Sequence, residues 1–224
     1  ALLDSPLKWV KLVFGTGVDE TGIYAYSSKI VFFHDPSSYA VVRVASIFDV
    51  LTFSTYSATA VLFAVFCFVG MWMLFLTFYS SYPDLHRLLA AAIFFIPSVF
   101  FWGSGLLKDT LTLGCLGMAT FAIHRIFIQH QFKFSLGLLL FVALVGLLRI
   151  KIYIVLVYLP AVIVWVFLEN LDSLRSLVLR IMLFPSVITI AIVIGYFATM
   201  KASEDNAKYS VNALAKTAKV TAYD

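Results

Sequence analysis

The chain has 224 residues, of which 62% are hydrophobic and 12% are charged, and its mean hydropathy is +0.99. Soluble domains carry about 25% charged and roughly 45–50% apolar residues, so this composition excludes an ordinary water-soluble domain. The formal charge of +4 comes without a dense basic run, which argues against nucleic-acid binding. Cys67 and Cys115 fall inside apolar segments, which favours packed, reduced thiols. We therefore predict an all-α polytopic membrane protein.

Residues 1–56 are predicted to form an amphipathic region at the outer face of the membrane. Residues 7–14 combine an apolar body with a basic edge, which is typical of a short interfacial helix. Asp35 followed by Pro36 indicates a helix start, because Asp caps the first turn and Pro suits the first helical position. We expect an amphipathic helix on the membrane surface after this signal.

Apolar segments long enough to approach a membrane span follow one another over residues 57–200. A spanning helix needs about 20 mainly apolar residues, and on this basis we expect about six transmembrane helices. The fourth and fifth segments are short, so half-helices at a cavity or one bent hairpin are alternatives. A polar tail, which we expect to be incomplete, follows over residues 201–224. The predicted spans are 57–79, 88–107, 110–128, 134–148, 152–168 and 178–199.

The orientation follows from Lys and Arg in short loops, which are enriched on the cytoplasmic side. The larger set of these residues is assigned to the cytoplasm, which places the N-terminal region, Lys108, Arg149 and Lys151 on the outer side. The cytoplasmic set is Arg87, Arg125, Lys133, Arg175 and Arg180.

Residues 97–109 interrupt an apolar run with a proline, a Gly-Ser-Gly turn and a Lys-Asp pair. Ionisable groups and helix breaks are costly in lipid and tend to line a site or a cavity. One interpretation has Lys108 snorkelling to the surface and Asp109 capping the next helix. The other has Lys108 holding a lipid phosphate, Asp109 orienting it or acting as a base, and the turn around Ser104 approaching the ligand.

Two further groups of charged residues are candidates for the outer face. Arg149 and Lys151 are either a helix end or a second anion clamp beside Lys108. Asp19 and Glu20 are either a solvated turn or a pair of carboxylates that binds a divalent cation or supplies a catalytic base.

The run from residue 97 to residue 109, PSVFFWGSGLLKD, resembles a segment of bacterial multi-pass proteins of the GT-C glycosyltransferase and exopolysaccharide-polymerase type. Residues 149–153, ahead of an apolar helix with Pro160, support the resemblance, which covers about residues 35–165. The resemblance implies a protein that handles a polyprenyl-phosphate-linked sugar at the outer face of the bacterial cytoplasmic membrane. It also implies a catalytic acid in an outer loop, for which Asp19 and Glu20 are candidates beside Asp109.

Two other functions fit the same sequence. The Phe-rich, charge-poor helices suit a non-catalytic accessory subunit that packs against a larger membrane complex. The prolines within apolar segments and the short fourth and fifth segments are compatible with a transporter.

Overall fold

In a computed structural model, the described residues are 5–14, 25–30, 33 and 35–170, together with positions 189, 193 and 196. Helices joined by turns account for the secondary structure of this part of the chain, which confirms the predicted all-α class there. The chain divides into two compact units, Ala1–Phe121 and Ala122–Asp224.

The first unit begins with the two predicted surface helices, α1 (Pro6–Phe14) and α2 (Pro36–Thr52). Asp35 is the N-cap of α2, and its carboxylate accepts a hydrogen bond of 3.2 Å from the backbone N–H of Ser37. Pro is well placed at the next position, because the first helical residue needs no donor and has the φ that Pro imposes. Both parts of the predicted helix start are confirmed.

The turn that ends α2 has an unusual backbone conformation. Phe53 adopts a left-handed conformation with φ of 50°, and its N–H donates to the carbonyl of Asp49. The following residue, Ser54, is also left-handed, with φ of 59°. Glycine is the usual residue in this conformation, because a Cβ atom raises its energy. The Phe53 side chain is nonetheless 92% exposed at this turn.

A buried hydrogen bond joins the two surface helices. The hydroxyl of Tyr39 in α2 donates to the carbonyl of Leu12 in α1 at 2.6 Å, and both residues are buried. The polar bond and the apolar burial together fix α1 against α2.

The next helix, α3 (Tyr56–Ser81), contains the whole of the first predicted apolar segment, residues 57–79, and has a mean hydropathy of 2.5. A 3-10 turn (Pro83–Leu85) follows, and then α4 (His86–Phe94) and α5 (Pro97–Gly103). The helix pair is bent by 55°, so the helix break indicated by Pro97 is observed, and the single span predicted over residues 88–107 stays a prediction. Pro at the first position of α5 explains the break, because the residue before Pro is disfavoured in the α conformation.

The last helix of the first unit, α6 (Lys108–Ile123), crosses α3 at backbone contact. A Cβ atom built on Gly70 would lie 2.1 Å from the carbonyl oxygen of Gly114, and one on Gly117 would lie 2.1 Å from that of Gly70. The helices can therefore approach this closely only because these three positions lack side chains.

In the second unit, α6 continues into a π-turn (His124–Ile128), and α7 (Phe134–Ile150) and α8 (Ile152–Asn170) follow. Pro160 lies inside α8 without ending it. The mean hydropathy of α8 is 2.3 over its most apolar 18 residues, but only 6% of these residues are buried. Most side chains of α8 are therefore half-buried, and the large apolar side chains of Tyr153, Val157 and Leu168 are exposed.

Three described helices are long and apolar enough to cross a membrane, and the bent pair adds a fourth if it is one span. These three are α3, α6 with its π-turn, and α8. With 17 residues, α7 is at the lower limit of the length that a typical bilayer requires. The predicted sixth span, residues 178–199, and the tail lie outside the described ranges, so the count of about six spans stays a prediction.

Candidate functional site

Lys108 is the first residue of α6 and contacts the N-terminus of α2 across 73 residues of sequence. Its ammonium donates to Oδ2 of Asp35 at 3.1 Å and to the Ser37 hydroxyl at 2.8 Å. The side chain of Lys108 is 35% exposed and that of Asp35 is 50% exposed, so the ion pair lies at the protein surface. A solvent-accessible pair of this kind contributes up to about 1 kcal/mol to stability.

The carboxylate of Asp35 is held by more than this lysine. The hydroxyl of Ser38 donates to Oδ2, and that of Ser37 donates to Oδ1 at 2.9 Å. These bonds, first that from Ser38 and then that from Lys108, lower the pKa of Asp35 well below its usual range. Asp35 therefore stays ionised, and its charge balances that of Lys108, over the whole physiological pH range.

The segment that presents Lys108 is held by Thr110, which lies two residues further along the chain. Thr110 is fully buried, and its hydroxyl lies 2.8 Å from the carbonyl of Trp102 and 2.7 Å from that of Gly105. The hydroxyl of Thr112 donates to the carbonyl of Lys108 at 2.8 Å. The loop that joins α5 to α6 is therefore closed on itself by side-chain bonds to its carbonyls.

Beside this lysine lies a groove between α2 and the segment that leads into α6, with a volume of about 350 Å³. Its wall is apolar along most of its length and polar where Lys108 and Ser38 lie. The shape and lining match an amphiphile, with a cation at the position of an anionic head and aliphatic side chains along a hydrocarbon tail. The other lining residues are Val41, Val42, Ala45, Leu106 and Leu107.

The structure does not bring Asp109 and Ser104 into this groove. Asp109 lines a separate hollow of about 290 Å³ with Ser98, Val99, Trp102 and Leu113. The hydroxyl of Ser104 donates to the carbonyl of Phe101 at 3.1 Å, and its side chain lines a third cavity of about 210 Å³, next to α3. The carboxylate that contacts Lys108 is thus Asp35, and the proposed roles of Asp109 and Ser104 stay predictions.

Arg149 and Lys151 belong to the second unit. Arg149 is exposed in the last turn of α7, and Lys151 is the C-cap residue of the same helix. The Lys151 ammonium lies 6.0 Å from the ring centroid of Tyr153. Cations at a helix C-terminus stabilise it through the helix dipole, which agrees with the simpler of the two interpretations. Their convergence with Lys108 stays a prediction.

The remaining catalytic candidates, Asp19 and Glu20, lie outside the described residues, as does the divalent cation site predicted on them. Within the described ranges, no group of three or more His, Cys, Asp or Glu side chains is arranged to hold a metal ion.

Sequence reasoning identified Asp35 as a helix cap but missed it as the partner of Lys108. The signal was weak, because a cap is recognised from its immediate neighbours whereas this pair joins distant segments. A lysine at the end of an apolar run is expected to pair with a carboxylate, but several acids of this chain could have been that partner.

Comparisons with protein-family models, with curated proteins and with solved structures find no match for this chain. The likeness of residues 97–109 to GT-C and polysaccharide-polymerase proteins therefore remains an expectation from the sequence.

Proposed function

We propose that the chain is an integral membrane protein whose first unit binds the phosphate-bearing head of a lipid beside Lys108. The observation that supports this proposal is the groove of about 350 Å³, with a cation at one end and aliphatic side chains along its wall. A phosphate accepts charge-assisted hydrogen bonds from an ammonium, and a hydrocarbon chain gains from contact with an apolar wall. Three long apolar helices support membrane insertion.

Within this proposal, the lipid is the polyprenyl-phosphate-linked sugar that the sequence resemblance implies, at the outer face of the bacterial cytoplasmic membrane. The amphiphilic groove supports the lipid-carrier part of this function. Transfer of the sugar would need an acid that accepts a proton from the acceptor hydroxyl. Asp19, Glu20 and Asp109 are the proposed candidates, with Arg149 and Lys151 as further phosphate contacts.

The test is binding of a polyprenyl phosphate by the purified chain in nanodiscs, measured by native mass spectrometry. We expect Lys108→Gln to reduce the bound fraction severalfold, because it removes the charge at the polar end of the groove. Lys133→Gln is the matched control, since Lys133 is exposed and is not among the residues that line the groove. Equal binding by the wild type and both variants would refute the proposal.

A second function, accessory subunit of a larger membrane complex, is favoured by one observation on α8. This helix has a mean hydropathy of 2.3 but buries only 6% of its apolar window. An apolar cavity of about 520 Å³ between α7, α8 and the π-turn adds to the uncovered surface. Purification of the tagged chain in mild detergent tests this function: a stoichiometric membrane partner supports it, and a chain that elutes alone contradicts it.

A further inference from the structure

We propose that Asp35 sets how much negative charge the groove beside Lys108 accepts in a lipid head. The inference rests on the proposed function, because it concerns the selectivity of the same site. It assigns Asp35 a role in specificity in addition to its role as the cap of α2.

The first step is the hydrogen-bonding capacity of the lysine. An ammonium has three N–H donors. Asp35 and Ser37 receive two of them, at 3.1 Å and 2.8 Å from Nζ. A phosphate oxygen must therefore either take the third donor or the one that Ser37 receives, in both cases beside the Asp35 carboxylate, or displace that carboxylate from the lysine.

The second step is the charge that the ligand meets. Lys108 and Asp35 together carry no net charge, so an anionic head gains no net attraction from the ion pair. The repulsion between an anion and the Asp35 carboxylate grows in proportion to the charge of the anion. The repulsion energy is therefore about twice as large for a doubly charged phosphomonoester head as for a singly charged phosphodiester head.

The third step is a substitution that removes the charge and keeps the helix start. Asn is as good an N-cap as Asp, because its side-chain oxygen accepts the same backbone hydrogen bond. The bond to retain is that from the N–H of Ser37, at 3.2 Å from Oδ1 of Asp35. Asp35→Asn thus separates the electrostatic role from the capping role, and Asp84→Asn, at an exposed residue of the 3-10 turn, is the matched control.

The experiment uses the full chain in phosphatidylcholine nanodiscs with spin-labelled phosphatidylglycerol or phosphatidic acid. At about pH 8.5 the first has one negative charge and the second close to two. We expect Asp35→Asn to raise the association of phosphatidylglycerol about threefold and that of phosphatidic acid on the order of tenfold, because the Coulomb term doubles with the charge. Asp84→Asn should change neither.

Two results overturn the inference alone. They are Lys108-dependent lipid association that Asp35→Asn leaves unchanged, and an equal gain for both lipids. A different result would refute the proposed lipid-head site itself. In that result, Lys108→Gln associates with both lipids as strongly as the wild type and Asp35→Asn do. A cooperative thermal unfolding transition of Asp35→Asn well above the assay temperature excludes loss of folding as the cause.

Discussion

At the scale of single residues, Thr110 determines where Lys108 is placed. Its buried hydroxyl lies within hydrogen-bonding distance of two carbonyls, that of Trp102 in α5 and that of Gly105 in the loop that follows. A buried acceptor that loses its donor keeps its full desolvation cost, so the shape of this loop depends on one side-chain atom.

Thr110→Val tests this dependence. The variant has nearly the same volume but no hydroxyl, and we expect it to lower the free energy of unfolding by about 1–3 kcal/mol. Thermal unfolding of the detergent-solubilised protein measures the loss. Thr110→Ser keeps the donor and should retain most of the stability, whereas a Thr110→Val protein as stable as the wild type would contradict this dependence.

The ionisation of Asp35 gives a prediction for acid pH. Its pKa is lowered in the folded protein, chiefly by the hydroxyl of Ser38 and by Lys108. A lowered pKa stabilises the fold above the unfolded value of about 3.8, and this stabilisation is lost as the pH falls from there through the folded pKa. We expect the difference in melting temperature between the wild type and Asp35→Asn to be constant from about pH 8 to pH 5 and to shrink below about pH 4. A difference that already shrinks between pH 8 and pH 6 would contradict this assignment.

The sequence was informative about Asp35 and Lys108 separately. Capping depends on the residues next to Asp35, so the pattern Asp-Pro was sufficient to predict it. The pairing depends on how α2 lies against the start of α6, and no periodicity in the sequence encodes that arrangement. The partner of a lysine next to an apolar run is therefore found only from the structure.

At the scale of helices, two prolines show what the sequence decides and what it does not. Pro97 begins a new helix after a break, whereas Pro160 lies inside α8. Both prolines occur in strongly apolar segments. The average hydropathy of such a segment does not reveal that proline lacks the backbone N–H a helix needs. Whether the chain breaks depends on packing around the freed carbonyl, so the extents of apolar segments were predicted better than their continuity.

The crossing of α3 and α6 gives a prediction about glycine. Gly117→Ala should lower the stability by about 1–3 kcal/mol, because its Cβ would lie 2.1 Å from the backbone oxygen of Gly70, which cannot rotate away. Gly137→Ala in α7 is the matched control, since nothing lies within 4 Å of its Cβ. This control should gain up to about 1 kcal/mol from helix propensity. Thermal unfolding measures both variants, and a Gly117→Ala protein as stable as the control would show that the helices do not cross at backbone contact.

At the scale of the whole molecule, composition was a better guide than span counting. An apolar, charge-poor chain predicts packed helices, and the described residues contain three helices that meet the length and hydropathy of a span. The number of crossings was harder to predict, because a bent pair and a 17-residue helix are each compatible with crossing or with turning back.

The contacts of the first unit predict that the bent pair crosses the membrane. Phe66 and Gly70 of α3 contact Gly114, and Gly70 also contacts Gly117, so α6 runs in the same sense as α3. The bent pair must therefore return the chain towards the end at which α3 begins. We expect position 104 to be on the same side of the membrane as position 54, and position 81 to be on the opposite side.

Single cysteines test this topology in a background with Cys67 and Cys115 replaced by alanine. An impermeant maleimide added to one side of sealed vesicles should label Ser54→Cys and Ser104→Cys together, and Ser81→Cys only from the other side. Labelling of Ser104→Cys from the same side as Ser81→Cys would instead make the bent pair a re-entrant loop.

The left-handed turn after α2 also bears on how this protein would be redesigned. A designer who considered only the backbone would choose glycine at position 53, since φ is 50° there and any side chain adds about 1 kcal/mol of strain. The chain instead has a phenyl ring that is 92% exposed and gains nothing from protein packing. A sequence design that maximised stability in water would therefore replace Phe53 with glycine. An apolar medium around the folded chain would cover this ring, which the rest of the protein leaves exposed.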